Sequence, residues 1–382
     1  MQALRIYAGP KAMQHIAHNG LQPQDIGVIP GAAGGPKGLI LGPLDRFIFG
    51  DWMAQSNHEV HLVGASIGAW RMATACLNNP ATGFEQLEHD YIRQDYSLKP
   101  GEKFPSPDTV SEDFGRSLAS FYAGKVADVL SHPRYRLHII TSRGRHILRR
   151  EHKIATPLGY VGAFLSNGLH RKAMGAWLER VVFSSQKAAL PFDARDYRTR
   201  QIDLTQANFH SALQASCSIP FVLRPVRNIA GAPPGAYWDG GITDYHLHLN
   251  YAINSEAACP RKIRVTALND VEFEQERVPA AGIVLYPHFQ KAVVPGWLDK
   301  GLKWRHKATP FLSNMVLLAP DPDWVKTLPN GKLPDRKDFA HYGRDLQARI
   351  EAWSRAASQA QQLADELAAW LDKPDRGLVE AL

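Results

Sequence analysis

Val60-His61-Leu62-Val63-Gly64-Ala65-Ser66-Ile67-Gly68-Ala69-Trp70-Arg71-Met72-Ala73 is the stretch on which the fold turns. Residues 60–63 are a short apolar run of the kind that fills a buried strand. Beyond them Ala69, Met72, Ala73 and Cys76 continue a helical pattern over residues 67–77. Between the two lies Gly64-Ala65-Ser66-Ile67-Gly68, which fits G-x-S-x-G. A serine on a tight strand-to-helix turn has strained dihedrals that lift its hydroxyl off the sheet. The backbone there passes close to its neighbours, so the positions two before and two after must be small. Gly64 and Gly68 meet that demand, and the helix N-terminus favours negative charge developing at Ser66. Such five-residue patterns arise by chance in glycine-rich turns; the flanking strand and helix are what single out Ser66 as a nucleophile.

Outward from this turn, apolar runs that read as buried strands recur at residues 26–29, 137–140, 263–267, 283–286 and 315–318. A second helical pattern spans 173–182. Strands alternating with helices predict an α/β fold with a mostly parallel central sheet covered on both faces. Residues 99–113 and 320–337, rich in Pro, Asp, Gly and Ser, read as surface loops. Near the end, Leu346, Ile350, Trp353, Ala357, Ala360, Ala364, Leu367 and Leu371 form one apolar stripe on an amphipathic helix. The division expected is a hydrolase domain over 1–340 and a helix over 341–382. That helix either packs on or extends its own domain, or pairs with a partner as a coiled coil; three alanines in the stripe speak against a zipper.

With 45% hydrophobic and 21% charged residues, the 382-residue chain has the composition of a folded protein. Its net charge of +7 is modest. Arg143, Arg145, Arg149, Arg150 and Lys153 form a basic run, but without the interleaved aromatics of a single-strand binder, so no nucleic-acid partner is expected. Three cysteines, Cys76, Cys217 and Cys259, suggest a reducing compartment rather than a disulfide framework. Residues 1–20 lack the apolar core of a signal peptide. The expectation is a cytoplasmic protein, with peripheral membrane contact and export without a cleaved signal both left open.

Upstream of the serine, Gly31-Ala32-Ala33-Gly34-Gly35-Pro36-Lys37-Gly38 follows the strand at 26–29. Glycines permit a turn whose amides converge on one point, and such donors can hold an oxyanion. Pro36 has no N–H, which leaves Gly34 and Gly35 as the donors of choice. Lys37 is followed by Gly38 and Leu39, not by the hydroxyl residue a phosphate loop requires, and the dinucleotide pattern is absent too. Downstream, Trp238-Asp239-Gly240-Gly241 sets a carboxylate beside two glycines, and a serine hydroxyl needs a base.

The order of glycine-rich loop, G-x-S-x-G turn and late D-G-G resembles the patatin-like phospholipase family. Ala215-Ser216-Cys217-Ser218-Ile219-Pro220 is similar to that family's A-S-x-x-I-P block. The resemblance implies a three-layer α/β fold and a Ser66–Asp239 dyad without histidine. It also implies an oxyanion hole at Gly34 and Gly35, a lipid ester as substrate and no cofactor. Lys37, Gly38, Gly64, Gly68, Gly240 and Gly241 match as supporting positions. Ala32 and Ala33 depart from the family's D-G-G-G-x-[KR]-G, standing where Asp and the first Gly would fall.

Other readings stay open at this level. Ser66, Asp239 and His288 stand in the chain order of an α/β-hydrolase triad, although few strands precede Ser66. Asp244, His246 and His248 would share one face of an extended strand, a spacing metal ligands can use, but they read better as ordinary polar positions on a strand or loop, and no metal is expected. A non-catalytic scaffold is a further alternative. In residues 295–310, Trp297, Gly301 and Trp304 would share a helix face beside Lys300, Lys303, Arg305 and Lys307. That face either docks on a lipid surface or packs its tryptophans into the core.

Overall fold

The computed structural model describes residues 1–96, 105–252 and 282–382. Among them, eleven strands form one sheet: β1 (Leu4–Ala8), β2 (Ile26–Gly31), β3 (Val60–Ala65), β4 (Tyr135–Gly144), β5 (Leu178–Ser184), β6 (Thr199–Asp203), β7 (Val226–Arg227), β8 (Ala236–Asp239), β9 (Ile283–Pro287), β10 (Met315–Pro320) and β11 (Val379–Ala381). The order is β11-β1-β10-β9-β2-β3-β4-β5-β6, with β8 on β4 and β7 on β8. Pairing is parallel except for β1 with β10, β4 with β5, and β8 with both β4 and β7. Helices flank the sheet, as the alternation of apolar runs predicts. No helix among the described residues is long and apolar enough to cross a membrane.

Five apolar runs read from the sequence lie within β2, β3, β4, β9 and β10. The run at 263–267 lies outside the described residues. The helix expected over 173–182 is a correction: a short turn, Arg171–Ala176, leads into β5. All seven residues of β5 are buried between β4 and β6, so no polar alternation marks it as a strand. Of the loop expected over 99–113, residues 99–104 lie outside the described residues, and 107–113 instead open a helix, Pro107–Phe121, whose first turn is capped by the Ser106 hydroxyl accepting from the Thr109 amide. The stretch 320–337 is only partly an exposed loop. Asp321 caps a helical turn there, and Trp324 and Leu328 are buried.

The C-terminal stripe forms two helices, Leu346–Gln359 and Gln361–Asp372, meeting at Ala360. Trp353, Ala357, Ala360, Ala364 and Leu367 are buried in the chain's own core. Past them, β11 pairs with β1.

The register of β4 places the site. β3 ends at Ala65, opposite Ile140. From Thr141 onward β8 pairs with β4 in the opposite direction, and its last residue, Asp239, stands opposite Thr141. Since β5 holds the other edge of β4, β8 must occupy the edge that β3 vacates. Ser66 and Asp239 therefore meet head to head along one edge of β4.

The chain after Asp239 is anchored by buried ion pairs. Arg180 grips Asp244 with Nε and Nη2 at 2.8 and 2.6 Å and reaches Asp196 with Nη1 at 2.9 Å. Arg171 bridges Asp244 and Asp299. Asp244 is thus engaged by two arginines, and Asp244, His246 and His248 lie on irregular chain rather than on one strand face. Removing one partner of a buried pair costs about 3–5 kcal/mol, because the other charge stays buried. Asp244→Ala should lose about 3 kcal/mol of stability in urea denaturation, somewhat cushioned by Asp196. A loss below about 1 kcal/mol would show that Arg180 is not held by this network.

Candidate active site

Ser66 sits between β3 and the helix Ile67–Ala75 at φ 56°, a strained backbone for a residue with a side chain. Close contacts explain the glycines around it. A Cβ on Gly68 would fall 1.8 Å from the Gly31 carbonyl oxygen, and one on Gly64 would fall 2.4 Å from Ala69 Cα. The Ser66 amide donates to the Ser216 hydroxyl at 2.9 Å, and that hydroxyl donates to the Ile140 carbonyl at 2.7 Å. Ser216 therefore pins the turn against β4.

The Ser66 hydroxyl donates to Asp239 Oδ2 at 2.7 Å. Both residues are nearly enclosed, at 4% and 6% exposure. The other carboxylate oxygen, Oδ1, accepts the Gly241 amide at 2.7 Å. The Asp239 amide donates to the Ser218 carbonyl, tying the acid to the segment that begins at Ala215. A Cβ on Gly240 would stand 2.1 Å from the Ile140 carbonyl oxygen. Burial pushes Asp239 above the ordinary carboxylate range; the Ser66 hydroxyl, Arg336, the Gly241 amide and Lys300 pull it back.

His288 is buried with Nδ1 against the Gln290 carbonyl, and its burial pushes its pKa down to about 3. Among the described residues no hydrogen bond joins it to Ser66 or Asp239, so the triad order seen in the sequence is not assembled.

A cavity of about 200 Å³ opens over the pair, lined among others by Ala33, Gly34, Ile219, Gly241 and Tyr245. The loop after β2 leads into a 3₁₀ helix, Gly35–Leu41, with Gly35 at φ 58°. The Ala33 amide is committed to the Tyr245 carbonyl at 2.9 Å. Gly34 lines the cavity, whereas Gly35 lies beside it, where a Cβ would stand 3.3 Å from Arg336 Nε. Gly38 backs onto Ile67 of the turn.

Four cations reach the same cavity: Lys37, Lys300, Arg336 and Lys337. Lys37 stands over the Phe289 ring and Lys300 over the Tyr245 ring, 4.0 Å from its centroid. Burial, with Arg336 and Lys37 nearby, pushes Lys300 down to about 8. Arg336, Lys337 and Tyr245 were not singled out from sequence. The first two belong to the supposed loop at 320–337, where nothing local marks a residue that folds back onto a serine so far away in the chain.

Residues 295–310 form two short turns, Trp297–Asp299 and Lys303–Arg305. Trp297 is half-buried in the cavity wall, and Trp304 is 65% exposed. The shared helix face of Trp297, Gly301 and Trp304 does not form, because Asp299 is drawn inward to Arg171, Arg305 and Asn167. Of the basic run, Arg143 pairs with Glu179 and Arg145 bonds the Gly175 carbonyl, while Arg149, Arg150 and Lys153 are exposed.

In the role of base expected from the sequence, Asp239 would act only when ionised, and activity would then fall as pH drops through its raised pKa, above the ordinary aspartate value near 3.9. Arg336→Gln removes a cation that favours the carboxylate and should move this acidic limb to higher pH, read as kcat/KM on a neutral soluble ester. A limb that stays put or moves down would separate Arg336 from Asp239 electrostatically.

Residues 58–246 match the family model described as patatin-like phospholipase. The match includes Ser66 and Asp239, while the glycine loop at 31–38 precedes it. No curated protein matches the chain.

Proposed function

Since residues 58–246 carry a patatin-like phospholipase domain, we propose that this protein is a serine hydrolase of lipid esters acting through Ser66 and Asp239. The observation that carries the reading is the direct 2.7 Å hydrogen bond from the Ser66 hydroxyl to Asp239, made without a histidine between them. Ser66 Oγ attacks the ester carbonyl carbon as its proton passes to Asp239 Oδ2. The carbonyl oxygen becomes an oxyanion, for which amides of the glycine loop, Gly34 foremost with Gly35 beside it, are the donors. One such donor is worth about 3 kcal/mol of barrier. Collapse expels the alcohol, which takes the proton from Asp239 and leaves an acyl group on Ser66. A water then gives its proton to Asp239, attacks the acyl carbon and releases the acid, and Ser66 recovers its proton.

The raised pKa of Asp239 suits this role, since a stronger base takes a hydroxyl proton more readily. Ser66 keeps its amide on Ser216, so the serine's own N–H is occupied, which supports the glycine loop as a source of oxyanion donors. Lys37, Lys300, Arg336 and Lys337 favour a lipid with an anionic group near the scissile ester, such as a phosphate headgroup, over a neutral glyceride.

Wild type should react with a fluorophosphonate probe, and Ser66→Ala should lose both labelling and turnover. Asp239→Asn should lower kcat by about 10⁴, since members of such a unit fail together. Labelling that persists in Ser66→Ala would place the nucleophile elsewhere. Turnover by Asp239→Asn close to wild type would remove Asp239 from the chemistry. Lys300→Ala with Arg336→Ala should raise KM for a phospholipid by about tenfold while leaving KM for a neutral glyceride within about twofold. Equal effects on both substrates would detach these cations from headgroup recognition.

A further inference from the structure

The helix Ala155–Leu169 is inverted with respect to its surroundings. Its inward face carries Thr156, Gly159, Ala163 and Asn167, all buried. Close packing explains why: a Cβ on Gly159 would stand 2.5 Å from Leu148 Cδ2, and one on Gly162 would stand 2.6 Å from Trp177 Cζ2. The large apolar side chains point outward. Ile154, Leu158, Val161, Leu165 and Leu169 are 67, 60, 55, 62 and 88% exposed. At 3.6 residues per turn these five fall within an arc of roughly 80°. Single exposed leucines are ordinary, but a continuous stripe marks an interaction surface.

The patch continues toward the cavity. Phe221, 61% exposed, packs edge-on against Tyr160 of this helix, with Val222 exposed beside it. Phe221 follows Ile219, which lines the cavity over Ser66, by two residues. At the other end, Arg305 bonds the Asn167 and Gly168 carbonyls and so tethers the turn that exposes Trp304. Both ends of the stripe are cationic at their exposed positions, with Arg149, Arg150 and Lys153 before it and Lys172 after it. Residues 154–170 contain no acid, and Glu151 is engaged by Arg224.

We propose that this helix face, with Phe221 and Val222, docks the protein on an anionic lipid surface. An apolar stripe flanked by cations fits an interface in which acyl chains lie beneath negative headgroups. A second copy fits less well, because an antiparallel pairing would set one cationic end against the other. The proposal rests on the lipid-hydrolase reading for its purpose, whereas docking itself needs no chemistry.

The test is co-sedimentation of the full chain with vesicles of phosphatidylcholine alone or mixed with phosphatidylglycerol. Wild type should sediment with the mixed vesicles. Leu158→Glu with Leu165→Glu should weaken this at least about tenfold, while hydrolysis of a soluble short-chain ester and thermal stability are kept. Arg149→Glu with Lys153→Glu should abolish the preference for anionic vesicles, and Ser66→Ala should bind as wild type does. Should the double variant fold poorly, Leu169→Glu at the most exposed position gives the same readout. Equal sedimentation of wild type and the leucine variants overturns the proposal. So does a wild-type dimer that those substitutions dissociate, which would make the face an interface between copies. Vesicle binding without ester hydrolysis leaves docking standing and sinks the hydrolase reading; hydrolysis of soluble ester without vesicle binding does the reverse.

Discussion

The backbone of Gly68 passes so close to that of Gly31 that no side chain fits at position 68: its first carbon would lie 1.8 Å from a carbonyl oxygen. That approach presses the start of the helix Ile67–Ala75 onto the end of β2. It brings the turn carrying Ser66 beside the loop that leaves β2 at Gly31, whose partner in the sheet is Gly64. Turn and glycine loop thus form one unit at the carboxyl ends of two adjacent parallel strands, where open α/β sheets gather ligands. The strained dihedrals of Ser66 persist because the surroundings over-determine them, with Ser216 holding its amide and Asp239 its hydroxyl.

The second half of the site depends on a vacated strand edge. β3 stops at Ala65 and β8 continues along β4 from the other direction, which sets Asp239 opposite the serine instead of at the far end of the sheet. Charge then fixes the chain beyond Asp239. Asp244 is locked between Arg180 and Arg171, and Arg171 and Arg305 hold Asp299 close to Trp297 and Lys300. Buried charges of this kind gain little net stability but penalise alternative arrangements, since each misplaced partner leaves an ion unpaired.

The same chain keeps two chemistries apart. The cavity over Ser66 is small and carries four cations against the acids Asp239 and Asp335, and of those cations Arg336 and Lys300 bear on Asp239. Elsewhere, large aliphatic side chains gather on the outer face of the helix Ala155–Leu169, because Leu148 and Trp177 crowd its inner side and leave room there for small residues.

Local signals in the sequence determined the strand–serine–helix turn, the glycine loop before it and the glycines after Asp239, because each answers a steric demand within a few residues of itself. Apolar runs likewise marked β2, β3, β4, β9 and β10. The sequence misread residues 173–182, since β5 is buried on both faces and carries no alternation. It also led to a shared face for Trp297 and Trp304 that the pull on Asp299 breaks into two turns. Only the tertiary structure decided that Asp239 meets Ser66 along one edge of β4, that Arg336 and Lys300 bear on it, and that the apolar face of the helix Ala155–Leu169 points away from the core. These are contacts between residues far apart in the chain, or a choice of which helix face lies inward, and both are set by register and packing rather than by local pattern.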